Sequence, residues 1–95
     1  MNKKEIFIKA LHAVACFNHI IDKLEDIGLT VEDNAFGGAL YNGYDGPTAI
    51  AMDCLSFDSI GMENDIYNKI ISIKLDEYKE FAEEVWTEYG DTRNI

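Results

Sequence analysis

Three side chains on the first predicted helix, His12, Cys16 and His19, are of types that bind metals or act as nucleophiles. Their i, i+4, i+7 spacing places them on one face of an α-helix, and neutral imidazole and thiolate are good zinc ligands. Structural zinc sites are more often built from paired motifs such as CxxC, which this sequence lacks. We therefore expect a mixed polar face, without metal and without any other cofactor.

Other catalytic patterns are missing from the sequence. A Cys–His pair on a helix surface is open to water, and no GxSxG motif surrounds Ser56 or Ser59. The phosphate-binding pattern GxxxxGK[ST] is absent too. A chain of 95 residues forms one domain, residues 1–95, in which a large cleft is hard to build. We predict that the protein is not an enzyme.

The outward face of the last predicted helix carries a row of carboxylates, flanked by Asp76 and Asp91. The whole chain has eighteen acidic and eight basic residues, for a net charge of −10. This balance disfavours nucleic acid and anionic membranes as direct ligands and favours a protein with a basic surface. A carboxylate row can imitate phosphates, or it can simply be a solvated helix face. The predicted partner-binding residues are Glu77, Glu80, Glu83, Glu84 and Glu88.

A glycine-rich segment from Asn34 to Pro47 carries several exposed aromatic candidates. Its turn dipeptides predict a loop, and tyrosine is frequent at protein interfaces. We predict Tyr41 and Tyr44 as additional anchors for a partner. The alternative is a connector whose aromatic side chains pack on the core.

The far side of the first helix is weakly apolar, which indicates that this helix packs on both sides. Either another helix of the chain covers it, or two copies of the chain meet there, as small chains often gain core by oligomerising. The second alternative makes the protein a dimeric structural or assembly protein. Its predicted interface residues are Ile8, His12, Ala15, Cys16 and His19.

Four segments are predicted to position these side chains. A long amphipathic helix runs from Lys3 to Ile27, and Gly28 ends it in a left-handed conformation. A second helix covers residues 48–57 and is ended or kinked by Gly61. The segment 63–75 favours a helix, with a β-strand as the alternative.

The last helix spans residues 77–89, with Asp76 as its N-cap and Gly90 as its stop. Its apolar stripe follows helical spacing and consists of Tyr78, Phe81, Ala82, Val85, Trp86 and Tyr89.

The fold class that follows is a mainly α domain of three to four helices, with room for a short strand or hairpin at residues 29–45. The alternative is an α+β domain in which residues 70–75 pair with residues 29–31. The predicted core consists of Phe7, Leu11, Val14, Phe17, Ile21, Leu24, Leu55, Ile70, Phe81, Val85 and Trp86.

No apolar run approaches the roughly eighteen residues that are needed to span a bilayer. Two cysteines, Cys16 and Cys54, do not make a disulfide framework. We expect a cytoplasmic protein.

The end of the first helix and the residues after it, LEDIGLTVED at 24–33, resemble small acidic proteins encoded by phages and prophages of Gram-positive bacteria. The resemblance covers the first third of the chain and carries over no functional residue. Such proteins are commonly host-takeover or counter-defence factors, including anti-CRISPR proteins, and often bind one host protein stoichiometrically. The resemblance thus implies a protein inhibitor that acts in the host cytoplasm.

Overall fold

The computed structural model describes residues 2–28 and 46–91 and contains four helices within these ranges. They are α1 (Lys3–Asp26), α2 (Pro47–Asp53), α3 (Ile60–Ile71) and α4 (Tyr78–Tyr89). The described residues contain no strand, only one isolated antiparallel bridge between Leu55 and Gly90. The mainly α prediction is confirmed, while the strand or hairpin expected at residues 29–45 lies outside the described ranges.

The long helix α1 is the element on which the other three helices assemble, since it contacts each of them. Its first turn is capped by the side chain of Asn2, whose oxygen accepts a hydrogen bond from the backbone N–H of Glu5 at 2.9 Å. At its other end Gly28 has φ +85°, the left-handed conformation that was predicted for the helix stop. The buried positions of α1 are Phe7, Ala10, Leu11, Val14 and Ala15.

The C-terminal part of α1 contributes less to the core than the sequence pattern predicts. Phe17, Ile21 and Leu24 are only partly buried, and Ile20 is 55% exposed. A helix of 24 residues is about 36 Å long, whereas α3 and α4, with 12 residues each, extend for about 18 Å. The shorter helices therefore cover only part of α1, and apolar periodicity alone does not show where that cover ends.

The middle of the chain differs from its predicted helix boundaries. Pro47 occupies the first turn of α2 as expected, but this helix ends at Asp53 and not at residue 57. Gly61 lies inside the first turn of α3, so it neither ends nor kinks the second helix. The N-cap of α3 is Ser59, whose hydroxyl accepts from the backbone N–H of Met62 at 3.3 Å.

The ambiguous segment 63–75 is helical as far as Ile71. The α+β alternative is therefore wrong for residues 70–75, which form the last turn of α3 and the turn that follows it. The side-chain amide of Asn18 holds this turn against α1, because it donates to the backbone carbonyls of Ile71 at 3.2 Å and Ile73 at 2.8 Å.

The last helix α4 begins one residue later than predicted, with Glu77 and not Asp76 at the N-cap position. The Glu77 carboxylate instead accepts a hydrogen bond from the backbone N–H of Lys74 at 3.2 Å. Gly90 ends the helix, although its φ of −60° is open to any residue. A Cβ atom at Gly90 would lie 2.5 Å from Cδ2 of Trp86, so close packing on that ring is what requires glycine here.

The predicted core is largely present around these helices. Ile70 is fully buried, and Leu55 and Val85 are nearly so, while Phe81 and Trp86 pack against the core with part of their surface exposed. Within the described ranges, no helix combines the length and the apolar character that crossing a membrane requires.

Candidate protein-binding groove

An open groove of about 520 Å³ runs between α3 and α4. Both helices contact α1, yet no Cα atom of α3 lies within 8 Å of a Cα atom of α4 along their fully described lengths. Packed helices are normally 8–10 Å apart between axes, with closer approach of their backbones at the crossing. The groove is therefore the space between two helices that share a neighbour without packing on each other.

The floor of the groove is apolar and comes from both sides. Ile66 and Ile73 lie on the α3 side, and Val85 lies on the α4 side; all three side chains are at least nine-tenths buried. Phe81 adds a half-buried aromatic ring. Because the three aliphatic side chains are already buried, the accessible apolar surface of the floor comes mainly from Phe81, and a ligand that only carried charge would leave this ring in contact with water.

The α4 rim of the groove is acidic. Glu77, Glu80, Glu84 and Glu88 all line it, because their spacing of three, four and four residues keeps them on one side of the helix. Glu80 and Glu84 make no hydrogen bond or ion pair with any described residue. On the α3 rim the polar residues are Lys69 and Ser72. Four of the five predicted glutamates are thus gathered at one site.

The fifth predicted glutamate, Glu83, lies away from the groove. Its carboxylate forms an ion pair with Nζ of Lys4 at 3.0 Å, on the side of α4 that faces α1. Asp91, which flanks the acidic row in the sequence, is separated from it as well. It is nearly buried and its carboxylate binds Nζ of Lys3 at 2.8 Å.

Tyr89 stands at the end of the groove and was predicted only as part of the apolar stripe. Its ring stacks on Phe57 with a centroid distance of 5.3 Å. Partial burial, a side-chain hydrogen bond with Glu88 and the charges of Glu88 and Asp65 raise the pKa of its phenol above the ordinary value. A tyrosine is protonated at neutral pH even without this shift, so the phenol is a hydrogen-bond donor beside the carboxylate row.

The α3 side of the groove was missed by the sequence analysis. Ile66, Lys69 and Ile73 lie in a segment whose helical state was itself ambiguous, and nothing local indicates that they face α4. The only signal in the sequence was the row of glutamates, which marks one rim and leaves the floor undefined.

His12, Cys16 and His19 lie on α1, away from this groove. Sγ of Cys16 is 3.4 Å from Nε2 of His12, and the His12 ring lies 5.0 Å from the ring of Tyr78, centroid to centroid. His19 lines a different pocket together with Asp22 and Lys74. Within residues 2–28 and 46–91, no group of three or more potential ligands is arranged to hold a metal ion.

The predicted dimer face is partly covered by the chain itself. Ala15 is fully buried and Ile8 packs against the core, while Cys16 is half-buried. His12 and His19 remain exposed. The homodimer thus remains a prediction, with a smaller free surface than the helix pattern suggests.

The fold and the groove define a small helical protein with an acidic groove between α3 and α4. The chain matches no protein-family model, no curated protein and no solved structure. Tyr41 and Tyr44, the two predicted anchors in the loop, lie outside the described residues.

Proposed function

We propose that the protein is a non-enzymatic binding protein that occludes a basic surface of another protein. The observation that supports this proposal is the convergence of Glu77, Glu80, Glu84 and Glu88 on one groove. The resemblance to phage-encoded proteins suggests that the partner is a host protein, whose basic surface would ordinarily hold nucleic acid.

The electrostatics of α4 favour such a partner. Glu80–Glu84 and Glu84–Glu88 are like-charged pairs at i, i+4, and each costs a few tenths of a kcal/mol in the free protein. Arginine or lysine side chains of a partner would remove this repulsion and form charge-assisted hydrogen bonds. A net charge of −10 would also speed the encounter with a basic protein at low ionic strength.

The test is a pull-down from a nuclease-treated host lysate with three versions of the protein. The first is the natural chain, and the second carries Glu80→Lys, Glu84→Lys and Glu88→Lys. The third is a matched control that reverses Glu25, Asp26 and Asp58, three exposed acids outside the groove. Both triple variants change the net charge equally, so only the position of the charge differs.

We expect the natural chain and the control to retain one dominant basic protein that a salt step releases. The groove variant should lose this protein while its circular dichroism spectrum stays helical. If the groove variant still captures the same protein, or if both variants lose it equally, the acidic rim is not the docking surface.

A further inference from the structure

We propose that the groove between α3 and α4 binds a single amphipathic α-helix of the partner, with basic side chains along α4 and apolar side chains on the floor. The inference rests on the proposed function, because it assumes that the acidic rim meets a basic protein. It adds the shape of the bound segment and the orientation of its faces.

The two helices that form the walls of the groove are long enough to contact a short partner helix. α3 and α4 are each 12 residues long and diverge enough that their Cα atoms stay more than 8 Å apart. The lining residues of α4 extend along the whole helix, about 18 Å, whereas those on the α3 side run only from Ile66 to Ile73. A partner helix of about three turns would therefore lie along α4, contact the C-terminal half of α3 and pack as an additional member of the bundle.

The apolar floor of the groove favours an amphipathic helix over a partner surface that is only basic. Ile73 from the α3 side and Phe81 and Val85 from α4 together line an apolar strip on the groove floor. A bound helix fills such a strip with residues at i, i+3 or i+4, and i+7. A flat basic surface that contacted the glutamates as it would contact phosphates would leave the apolar strip exposed to water.

The two rims differ in charge, and this difference fixes the rotation of the bound helix about its axis. The α4 rim has four glutamates, whereas Lys69 is the charged residue of the α3 rim. The partner helix should accordingly place lysine or arginine on its α4 side and polar or acidic residues on its α3 side. Lysine and arginine fit the α4 rim particularly well, because their aliphatic stems cover apolar surface while the charged ends reach the carboxylates.

A second copy of this chain is a poorer occupant than a foreign basic helix. Each copy carries a net charge of −10, so association through an acidic rim is opposed by the overall charge. Two of the four lysines of α1, Lys3 and Lys4, are moreover already in ion pairs with Asp91 and Glu83.

The experiment uses the full chain and two synthetic peptides built from leucine and lysine. One peptide, about four turns long, segregates its leucines to one helical face. The other has the same composition in an order that does not segregate them. We expect the amphipathic peptide to bind at least about tenfold more tightly by titration calorimetry, because only this peptide can bury leucine on the floor.

Two variants and one mapping experiment separate the floor from the rim. Phe81→Ser should remove most of the preference for the amphipathic peptide and leave the weak binding of the scrambled one unchanged. Lys69→Gln, on an exposed residue, should tighten the binding of both peptides about two- to threefold by removing a like charge. Amide chemical shifts of the natural chain should move on both α3 and α4, which tests the location even if the Phe81 variant is unstable.

Equal binding of the two peptides, or shifts confined to α4, would overturn the helix-in-groove inference and leave the proposed function to be decided by the pull-down. Binding of neither peptide would also overturn it. Groove shifts that depend on protein concentration without peptide would overturn it in favour of a second copy. Failure of the proposed function is recognised separately, by a pull-down that does not depend on Glu80, Glu84 and Glu88.

Discussion

Lys3 and Asp91 join the two ends of the described chain, with Nζ of Lys3 at 2.8 Å from Oδ2 of Asp91. The Asp91 carboxylate is only 7% exposed, and its backbone N–H donates to the carbonyl of Cys54 at 3.0 Å. The contact fastens the start of α1 to the segment that follows α4. It also separates Asp91 from the row of carboxylates that it flanks in the sequence.

We predict that Asp91→Asn lowers the free energy of unfolding by about 1–2 kcal/mol. Hydrogen bonds to charged groups contribute more than neutral ones, but a Lys3 side chain that is 32% exposed moderates the loss. Glu83→Gln breaks the more exposed pair with Lys4 and should cost less than about 1 kcal/mol. Urea denaturation followed by circular dichroism measures both, and equal losses would contradict the difference that we assign to burial.

Replacing Gly90 or Gly61 by alanine should change the stability of the protein in opposite directions. Gly90→Ala forces a Cβ into the ring of Trp86 and should destabilise the protein by about 1–3 kcal/mol. Gly61 lies in α3 with nothing within 4 Å of the same position, so Gly61→Ala should stabilise it by about 0.4–1 kcal/mol. Thermal melts of the two variants measure these changes, and a neutral Gly90→Ala would contradict the requirement for glycine beside the Trp86 ring.

The two cysteines should differ in reactivity toward a thiol reagent. Cys16 is half-buried on α1, whereas Cys54 is buried and its thiol donates to the carbonyl of Ile50 at 3.3 Å. Burial is the largest cause that raises the pKa of the Cys54 thiol, and the negative charges of Asp53 and Asp91 raise it further. The positive charge of Lys3 acts in the opposite direction. At pH 8 we expect fast labelling of Cys16 and slow labelling of Cys54, with both fast in denaturant.

Cys16→Ser provides the control for this measurement, because it leaves Cys54 as the single thiol. Since the folded-state pKa of Cys54 lies above its unfolded value, the unfolded chain loses the proton first. The free energy of unfolding should therefore decrease as the pH rises above about 9. Rapid labelling of the Cys16→Ser variant under native conditions would contradict the buried position of Cys54.

Local signals in the sequence were sufficient to predict most helices, because each depends on residues that are close along the chain. Gly28, Pro47 and the apolar periodicity of α1 act within a turn or two, and they correctly predicted the stop of α1, a helix beginning near Pro47 and the helical state of α1. Asn18 shows the limit of such signals. Its partners Ile71 and Ile73 are more than fifty positions away, so nothing beside Asn18 indicates that it caps α3.

The same distinction between local signals and long-range contacts applies to the candidate site. The glutamates of α4 are visible as a periodic pattern, and four of the five do share one rim. Glu83 was grouped with them because it also lies outside the apolar stripe, but only the packing of α4 on α1 pairs it with Lys4. The floor residue Ile73 follows α3 in a turn, where no periodic pattern assigns it to a face.

The acidic rim should reduce the stability of the free protein while it increases affinity for a basic partner. Replacing Glu80, Glu84 and Glu88 by glutamine removes two like-charged i, i+4 pairs, and we expect a gain of about 0.5–1 kcal/mol in the free energy of unfolding. The same variant should lose the amphipathic peptide. Proteins commonly retain such locally unfavourable residues where binding requires them.

Varying the salt concentration tests independently whether repulsion between the rim glutamates destabilises the free protein. The electrostatic screening length shortens to about 3 Å at 1 M salt, which weakens the repulsion between the rim glutamates. The natural chain should therefore gain stability with added salt, and the glutamine variant should gain less. Urea denaturation at low and high salt measures this difference, with Glu83→Gln as the control that keeps the rim intact. If the glutamine variant is less stable than the natural chain at low salt, the rim carboxylates stabilise the fold, and their spacing would no longer indicate a surface kept for binding.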